Sequence, residues 1–120
     1  MQGGNGAKFH ADLIVDRADL IIRKGFRAEI DSYSAFFEND KTTPTGLAGY
    51  LRERGVNHVV LCGLATDFCV YYSAVDAIAQ GFKATLVTDA CRGIDLDGSL
   101  DAAMKDMTAK GVQFRTADAI

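Results

Sequence analysis

Apolar residues along the chain fall into short blocks, and most blocks end at a glycine. The first, Leu20-Ile21-Ile22, follows Asp19 and stops at Arg23-Lys24-Gly25. It is short and β-branched, which predicts a buried strand. Two more blocks of the same character predict strands at His58 to Leu61 and at Ala84-Thr85-Leu86-Val87-Thr88. Val112-Gln113-Phe114-Arg115 reads as the last strand. Between them the spacing changes to that of helices. Thr43-Pro44 marks a start, with threonine as cap and proline at the first helical position. Leu47, Tyr50, Leu51 and Arg54 then share one face, and Gly55 supplies the stop. Val70, Ala74, Ala77 and Ile78 form the inner stripe of a second helix closed by Gly81. Asp97 or Ser99 can cap a third helix, with Leu100, Ala103, Met104 and Met107 inward and Gly111 at its end. Gly3-Gly4-Asn5-Gly6 reads as a loop. The segment Phe26 to Lys41 mixes polar and aromatic residues without a period, as connections that line a site often do.

Helical crossovers between apolar strands predict a parallel sheet in an α/β fold. In such sheets the carboxyl ends of the strands carry the site. Three points lie there: Lys24, the stretch Gly63-Leu64-Ala65-Thr66-Asp67-Phe68-Cys69, and Asp89-Ala90-Cys91-Arg92-Gly93. A dinucleotide-binding site is disfavoured, because no G-x-G-x-x-G stands at a strand-to-helix turn.

Composition narrows the classes further. The 120 residues fit one domain with a modest core, and 48% apolar with 24% charged residues is ordinary for a globular protein. The formal charge of -3 comes without a basic cluster, so nucleic acid is not an expected partner. No run approaches a membrane span, and the N-terminal stretch lacks the apolar core of a signal peptide, which makes the cytoplasm the default expectation. The 3 cysteines form no CxxC pair, against both a disulfide scaffold and a structural zinc site. With only His10 and His58, a metal site built from this chain alone is not expected.

Cys69 falls in the first turn of the second helix. Unpaired N–H groups and the positive end of the helix dipole favour a thiolate there, and the same N–H groups can hold an oxyanion. The competing reading is a small buried apolar residue, as most free cysteines are. Lys24 ends a strand beside that turn, where a cation stabilises negative charge on sulfur; a solvated strand-end lysine is the alternative. Thr66 and Asp67 read as cap and turn residues. Cys62 lies inside an apolar strand and is expected in the core, while Cys91 is either packing or a bystander near the pocket. Tyr33, Phe36 and Phe37 are either core or an aromatic wall for a flat substrate. His58 is expected at the surface or as a cap.

Taken together, Gly63 to Val70, Arg23-Lys24-Gly25 with Asp31-Ser32-Tyr33-Ser34-Ala35-Phe36-Phe37, and Thr88 to Gly93 resemble the isochorismatase-like cysteine hydrolases. The resemblance is to the nicotinamidase/pyrazinamidase branch and runs over nearly the whole chain. It implies a three-layer α-β-α, Rossmann-like fold with a mostly parallel sheet. It also implies hydrolysis of nicotinamide to nicotinate and ammonia, a step of NAD salvage, with pyrazinamide as an alternative substrate. Cys69 would be the nucleophile of a thioester mechanism and Lys24 the lysine of an Asp-Lys-Cys triad. The Leu64–Ala65 peptide matches a cis bond that turns the Ala65 N–H, with that of Cys69, toward the oxyanion. Tyr33, Phe68 and Leu64 match pocket-lining positions.

The family's general acid/base aspartate and its divalent metal (zinc, iron or manganese) have no counterpart in the resemblance. Residues 1–120 therefore match the C-terminal portion of a single hydrolase domain, incomplete at the N-terminus. Without the acid/base the 120 residues alone are expected to have negligible amidase activity, since proton transfer is worth about 10²–10⁴ in rate. Unpaired strand edges imply self-association. Two other readings stay open: a non-catalytic α/β module that folds by pairing with another chain, and an amidase of the same family with a different small amide.

Overall fold

The structure is a computed structural model that describes residues 3–25 and 27–120. Met1, Gln2 and Phe26, with which the aperiodic segment begins, lie outside the described residues. Helix α1 spans Leu47–Glu53, strand β1 His58–Leu64, helix α2 Tyr71–Ala79, strand β2 Lys83–Arg92, helix α3 Ser99–Ala109 and strand β3 Gln113–Arg115. A π-helical turn, Thr66–Val70, runs directly into α2. Among the described residues the sheet has the order β1-β2-β3 and both pairings are parallel, as the alternation of strands and helices predicts.

Each crossover moves the chain one strand further in the same direction. Crossovers of one hand then lay α2 and α3 on the same face, where they pack on each other, α2 resting on β2. Ala74, Ala77, Ala103 and Met107 form the contact with Ala84 and Leu86 of the central strand, and Phe36 and Phe82 close the cluster. The small side chains Ala74 and Ala77 on α2 are completely buried in this cluster.

All three helices end in the same way. Gly55, Gly81 and Gly111 sit at φ 70°, 90° and 91°, the left-handed region expected of a glycine stop. In each case the following residue (Val56, Phe82, Val112) donates its N–H back five positions, to Leu51, Ala77 and Met107. Phe82 and Val112 are buried as they do so, so the stop also starts the next core segment. Gly111→Ala forces a Cβ into that region and is expected to cost about 1–2 kcal/mol, read as a lower urea midpoint at unchanged slope.

Four expectations need correction. Leu20-Ile21-Ile22 is not a strand: it runs as irregular backbone, with Leu20 and Ile21 42% and 50% exposed. No strand among the described residues lies alongside to complete its ladder, and a β-branched run without a neighbour has no reason to pair. Helix α1 starts three residues after Pro44. Thr43 is taken by Asp40, which accepts its N–H at 2.9 Å and its hydroxyl at 2.5 Å, and Pro44 bridges Phe37. The Thr45 hydroxyl instead accepts the Leu47 N–H at 3.3 Å. Strand β2 does not stop at Thr88. After an irregularity opposite Cys62 it rejoins β1, pairing Cys91 with Gly63 and Arg92 with Leu64. Finally, Cys62 is exposed and not in the core. Strand alternation puts Val59 and Leu61 against the helices and Val60, Cys62 and Leu64 on the opposite face, where Val60 is 49% and Leu64 72% exposed.

Candidate active site

Cys69 sits in the π-helical turn, half-buried. The Phe68 and Val70 N–H groups both donate to the Ala65 carbonyl at 3.1 Å, with the Cys69 N–H between them. The Leu64–Ala65 peptide ahead of this turn is cis, as the resemblance implies. The Lys24 ammonium reaches the same place from the other side: Nζ donates to the Ser32 carbonyl at 2.6 Å and to Cys69 Sγ at 3.6 Å. Two residues 45 positions apart in sequence thus meet, although Lys24 stands in irregular backbone and not at the end of a strand.

One hydroxyl ties the two halves of this site. Ser73, one turn into the helix from Cys69, donates to the Cys69 carbonyl at 2.6 Å and accepts the Ala35 N–H at 2.8 Å. The segment that presents Ser32 to Lys24 is thereby fixed to the helix that carries the thiol. Ser73 is buried, so Ser73→Ala leaves the Ala35 N–H without its acceptor. The expected loss is about 1–3 kcal/mol, measured by urea unfolding. Ser73 escaped notice in the sequence because a serine on an alanine-rich helix face carries no chemical signature.

Asp67 is the second residue whose role sequence reading missed. Its main partners are not in its own turn. The carboxylate is 4% exposed and accepts the Ile94 N–H at 2.9 Å, the Asp95 N–H at 2.7 Å and the Ser99 hydroxyl at 2.6 Å. Burial alone would raise its pKa, but the Ser99 hydroxyl and the two amides outweigh burial and hold it below the usual carboxylate range. The loop after β2 is therefore clamped to the turn that carries Cys69. Asp95 and Asp97 adopt φ 54° and 51° within that loop.

Tyr33 and Phe68 meet edge-to-face, ring centroids 5.9 Å apart. Tyr33 follows the residue whose carbonyl holds Lys24, and Phe68 precedes Cys69, so the pair links the two segments that carry the lysine and the thiol. Of the other aromatics in the segment, Phe36 is core and Phe37 packs half-buried against it. Cys91 is buried, and burial pushes its thiol up. His58 shares a hydrogen bond with Thr85 Oγ1 at 2.8 Å across the sheet. Among the described residues no carboxylate hydrogen-bonds to Cys69 or Lys24. Nor does any cluster of three or more His, Cys, Asp or Glu side chains among them stand ready to hold a metal ion.

A cysteine beside a lysine at a strand-to-helix turn, on a parallel sheet, is an arrangement that suits nucleophilic chemistry at sulfur. The Isochorismatase domain model matches residues 1–119, and the chain belongs to that family. A nicotinamidase of Acinetobacter baylyi is 52% identical over 113 residues, covering 94% of this chain and 53% of the relative. The solved Acinetobacter baumanii nicotinamidase/pyrazinamidase superposes with a TM-score of 0.94 at 56% identity, over 98% of this chain and 56% of that one. An L. infantum protein in complex with nicotinate gives 0.93 at 40% identity, over 98% and 59%. A pyrazinamidase of Pyrococcus horikoshii in complex with zinc gives 0.79 at 34%, over 96% and 59%. The chain thus spans about half the length of the relatives it matches.

Proposed function

We propose that this chain carries the nucleophile half of a nicotinamidase, an enzyme that hydrolyses nicotinamide to nicotinate and ammonia. The observation that carries the proposal is the 3.6 Å approach of Lys24 Nζ to Cys69 Sγ in the turn before α2. In the first step the Cys69 sulfur bonds to the amide carbon and the carbonyl electron pair moves to oxygen. The Ala65 and Cys69 N–H groups are the donors for that oxyanion, and the Lys24 ammonium stabilises the negative charge. The pair then returns, the C–N bond breaks, and the amine takes a proton and leaves as ammonia. Water attacks the thioester, releasing nicotinate and the thiol. Tyr33, Phe68 and Leu64 are the residues that would face the pyridine ring.

The reaction needs a group to exchange protons with the thiol and the amine, a service worth about 10²–10⁴ in rate. The described residues place no carboxylate in hydrogen-bonding contact with the thiol, so negligible turnover by these 120 residues is the expected result. The Pyrococcus horikoshii relative is in complex with zinc, and a divalent metal beside such a site would polarise or hold a small ligand. The described residues of this chain do not present a donor set for one, and no step above passes through it.

The test separates reactivity from turnover. Incubation with nicotinamide, followed by proton NMR for nicotinate and by an ammonia assay, is expected to show none above background. Nicotinamide is nonetheless expected to protect Cys69 from iodoacetamide. Absence of protection, with Cys69 no more reactive than exposed Cys62, would remove the proposal. A second reading, a module that pairs with another chain, rests on the exposed apolar face of β1 at Val60 and Leu64. A mass by light scattering that rises with concentration would favour it, self-association included.

A further inference from the structure

Behind the Tyr33–Phe68 pair lies an aromatic stack that the nicotinamidase reading does not use. The ring of Tyr72, on α2, stacks on Tyr33 with centroids 5.6 Å apart and planes 23° off parallel. Tyr72 in turn meets Tyr71 at 4.9 Å, and Tyr71 is anchored by its hydroxyl, which donates to Asp106 of α3 at 2.7 Å. The Lys41 ammonium sits 4.4 Å from the Tyr72 ring centroid.

The loop that delivers Lys41 is built for one shape. Asp40 accepts the Thr43 hydroxyl and the N–H groups of Thr43 and Thr42 at 2.5, 2.9 and 3.0 Å, which together hold its carboxyl down at about 2. Lys41 itself adopts φ 62°, and its N–H donates to Glu38 at 2.9 Å. The same loop grips Tyr33 directly. The Asn39 side-chain oxygen accepts the Tyr33 N–H at 3.1 Å, and the Asn39 N–H donates to Asp31 at 3.0 Å. The Tyr33 backbone is thus fixed by Asn39, while its ring is backed by Tyr72, whose own ring carries the Lys41 ammonium.

We propose that Tyr72 and Lys41 are positioning residues that hold the Tyr33 ring as a flat wall beside Cys69, selecting a planar aromatic amide over an aliphatic one. This rests on the reading of Cys69 as an amide-directed nucleophile. A ring backed on one face and gripped at its backbone loses little freedom when a planar ligand stacks on it, whereas an unbacked ring must be ordered by the ligand. An aliphatic amide offers no face to stack and gains nothing from the arrangement.

The experiment uses the full 120-residue chain and its Tyr72→Leu, Tyr72→Phe and Lys41→Gln variants. The first measurement needs no ligand: the ring-current shift of the Tyr33 ring protons, assigned with a Tyr33→Phe variant. It is expected to collapse in Tyr72→Leu and to survive in Tyr72→Phe. The second is the concentration of nicotinamide or acetamide that halves the rate of Cys69 alkylation by iodoacetamide. Tyr72→Leu is expected to raise it about tenfold for nicotinamide, with Lys41→Gln smaller in the same direction and Tyr72→Phe unchanged. Acetamide protection and the unprotected alkylation rate are expected to stay constant throughout. An unmoved Tyr33 signal in Tyr72→Leu, or an unprotected rate that falls with protection, overturns the proposal. If nicotinamide fails to protect the unsubstituted chain, the nicotinamidase reading fails. The Tyr33 signal then decides the positioning role, collapse with rescue by phenylalanine sustaining it and no change ending it.

Discussion

Lys24→Met slows the alkylation of Cys69 by about three- to tenfold at low ionic strength. Methionine keeps the length and apolar stem of lysine and removes the charge, so the change isolates the ammonium. In the folded chain that ammonium is 3.6 Å from the sulfur and steadied by the Ser32 carbonyl at 2.6 Å, so it adds negative-charge stabilisation without needing to be ordered. Lys24 is exposed, which keeps the effect well below that of a buried pair and makes it sensitive to salt. The difference between lysine and methionine should therefore narrow as salt rises toward 1 M. A rate unaffected by Lys24→Met at every salt concentration would show that the contact does no chemical work. Cys69→Ala, which removes the labelled atom, serves as the blank in the mass-spectrometric readout.

Asp67→Ala carries the largest expected cost in stability. It leaves the Ile94 and Asp95 amides and the Ser99 hydroxyl without their acceptor, at a carboxylate that is itself 4% exposed under a surface loop. Bonds to a charged group are each worth about 1.5–3 kcal/mol, so a loss of about 3 kcal/mol or more is expected, a large share of the roughly 5–15 kcal/mol that small domains possess. The pH dependence gives an independent handle. Because the folded-state pKa of Asp67 is lowered, its contribution is full above the ordinary carboxylate value of about 4 and is lost as pH falls through the folded value. Urea midpoints of the unsubstituted chain and Asp67→Asn should therefore differ most near neutral pH and converge in acid. A gap that stays constant from neutral to acid pH would mean that the charge of Asp67 contributes nothing.

Much of the fold could be read from local signals, because local physics sets them. Glycine stops at 55, 81 and 111 need a left-handed residue, and few others supply one cheaply. The inward stripes of α2 and α3 follow from helical spacing, with Ala74, Ala77, Ala103 and Met107 buried as expected. Errors arose where the partner of an element decides its state. Leu20-Ile21-Ile22 has strand composition, but a strand exists only with a neighbour to bond. Cys62 lies in an apolar run, yet only the placement of helices tells which side of β1 is covered. Pro44 looked like a first helical residue until Asp40 claimed Thr43. At the site, Cys69 could be placed from the end of β1 and from family resemblance, whereas Lys24, which ends no strand, and the cis Leu64–Ala65 bond rest on resemblance alone. Ser73, Asp67 and Tyr72 act through contacts between distant segments, which no local pattern records.

The clamp of Asp67 on the loop after β2 also makes the molecule its own timekeeper. The Ile94 and Asp95 amides that bind the carboxylate carry exchangeable protons. Their hydrogen-exchange rates in heavy water count how often the brace behind Cys69 lets go. If those two amides exchange only as fast as the buried core of β2, the nucleophile turn opens only when the whole domain does. Faster exchange at these two positions alone would give the lifetime of a local opening, amide by amide, in a protein that otherwise stays folded.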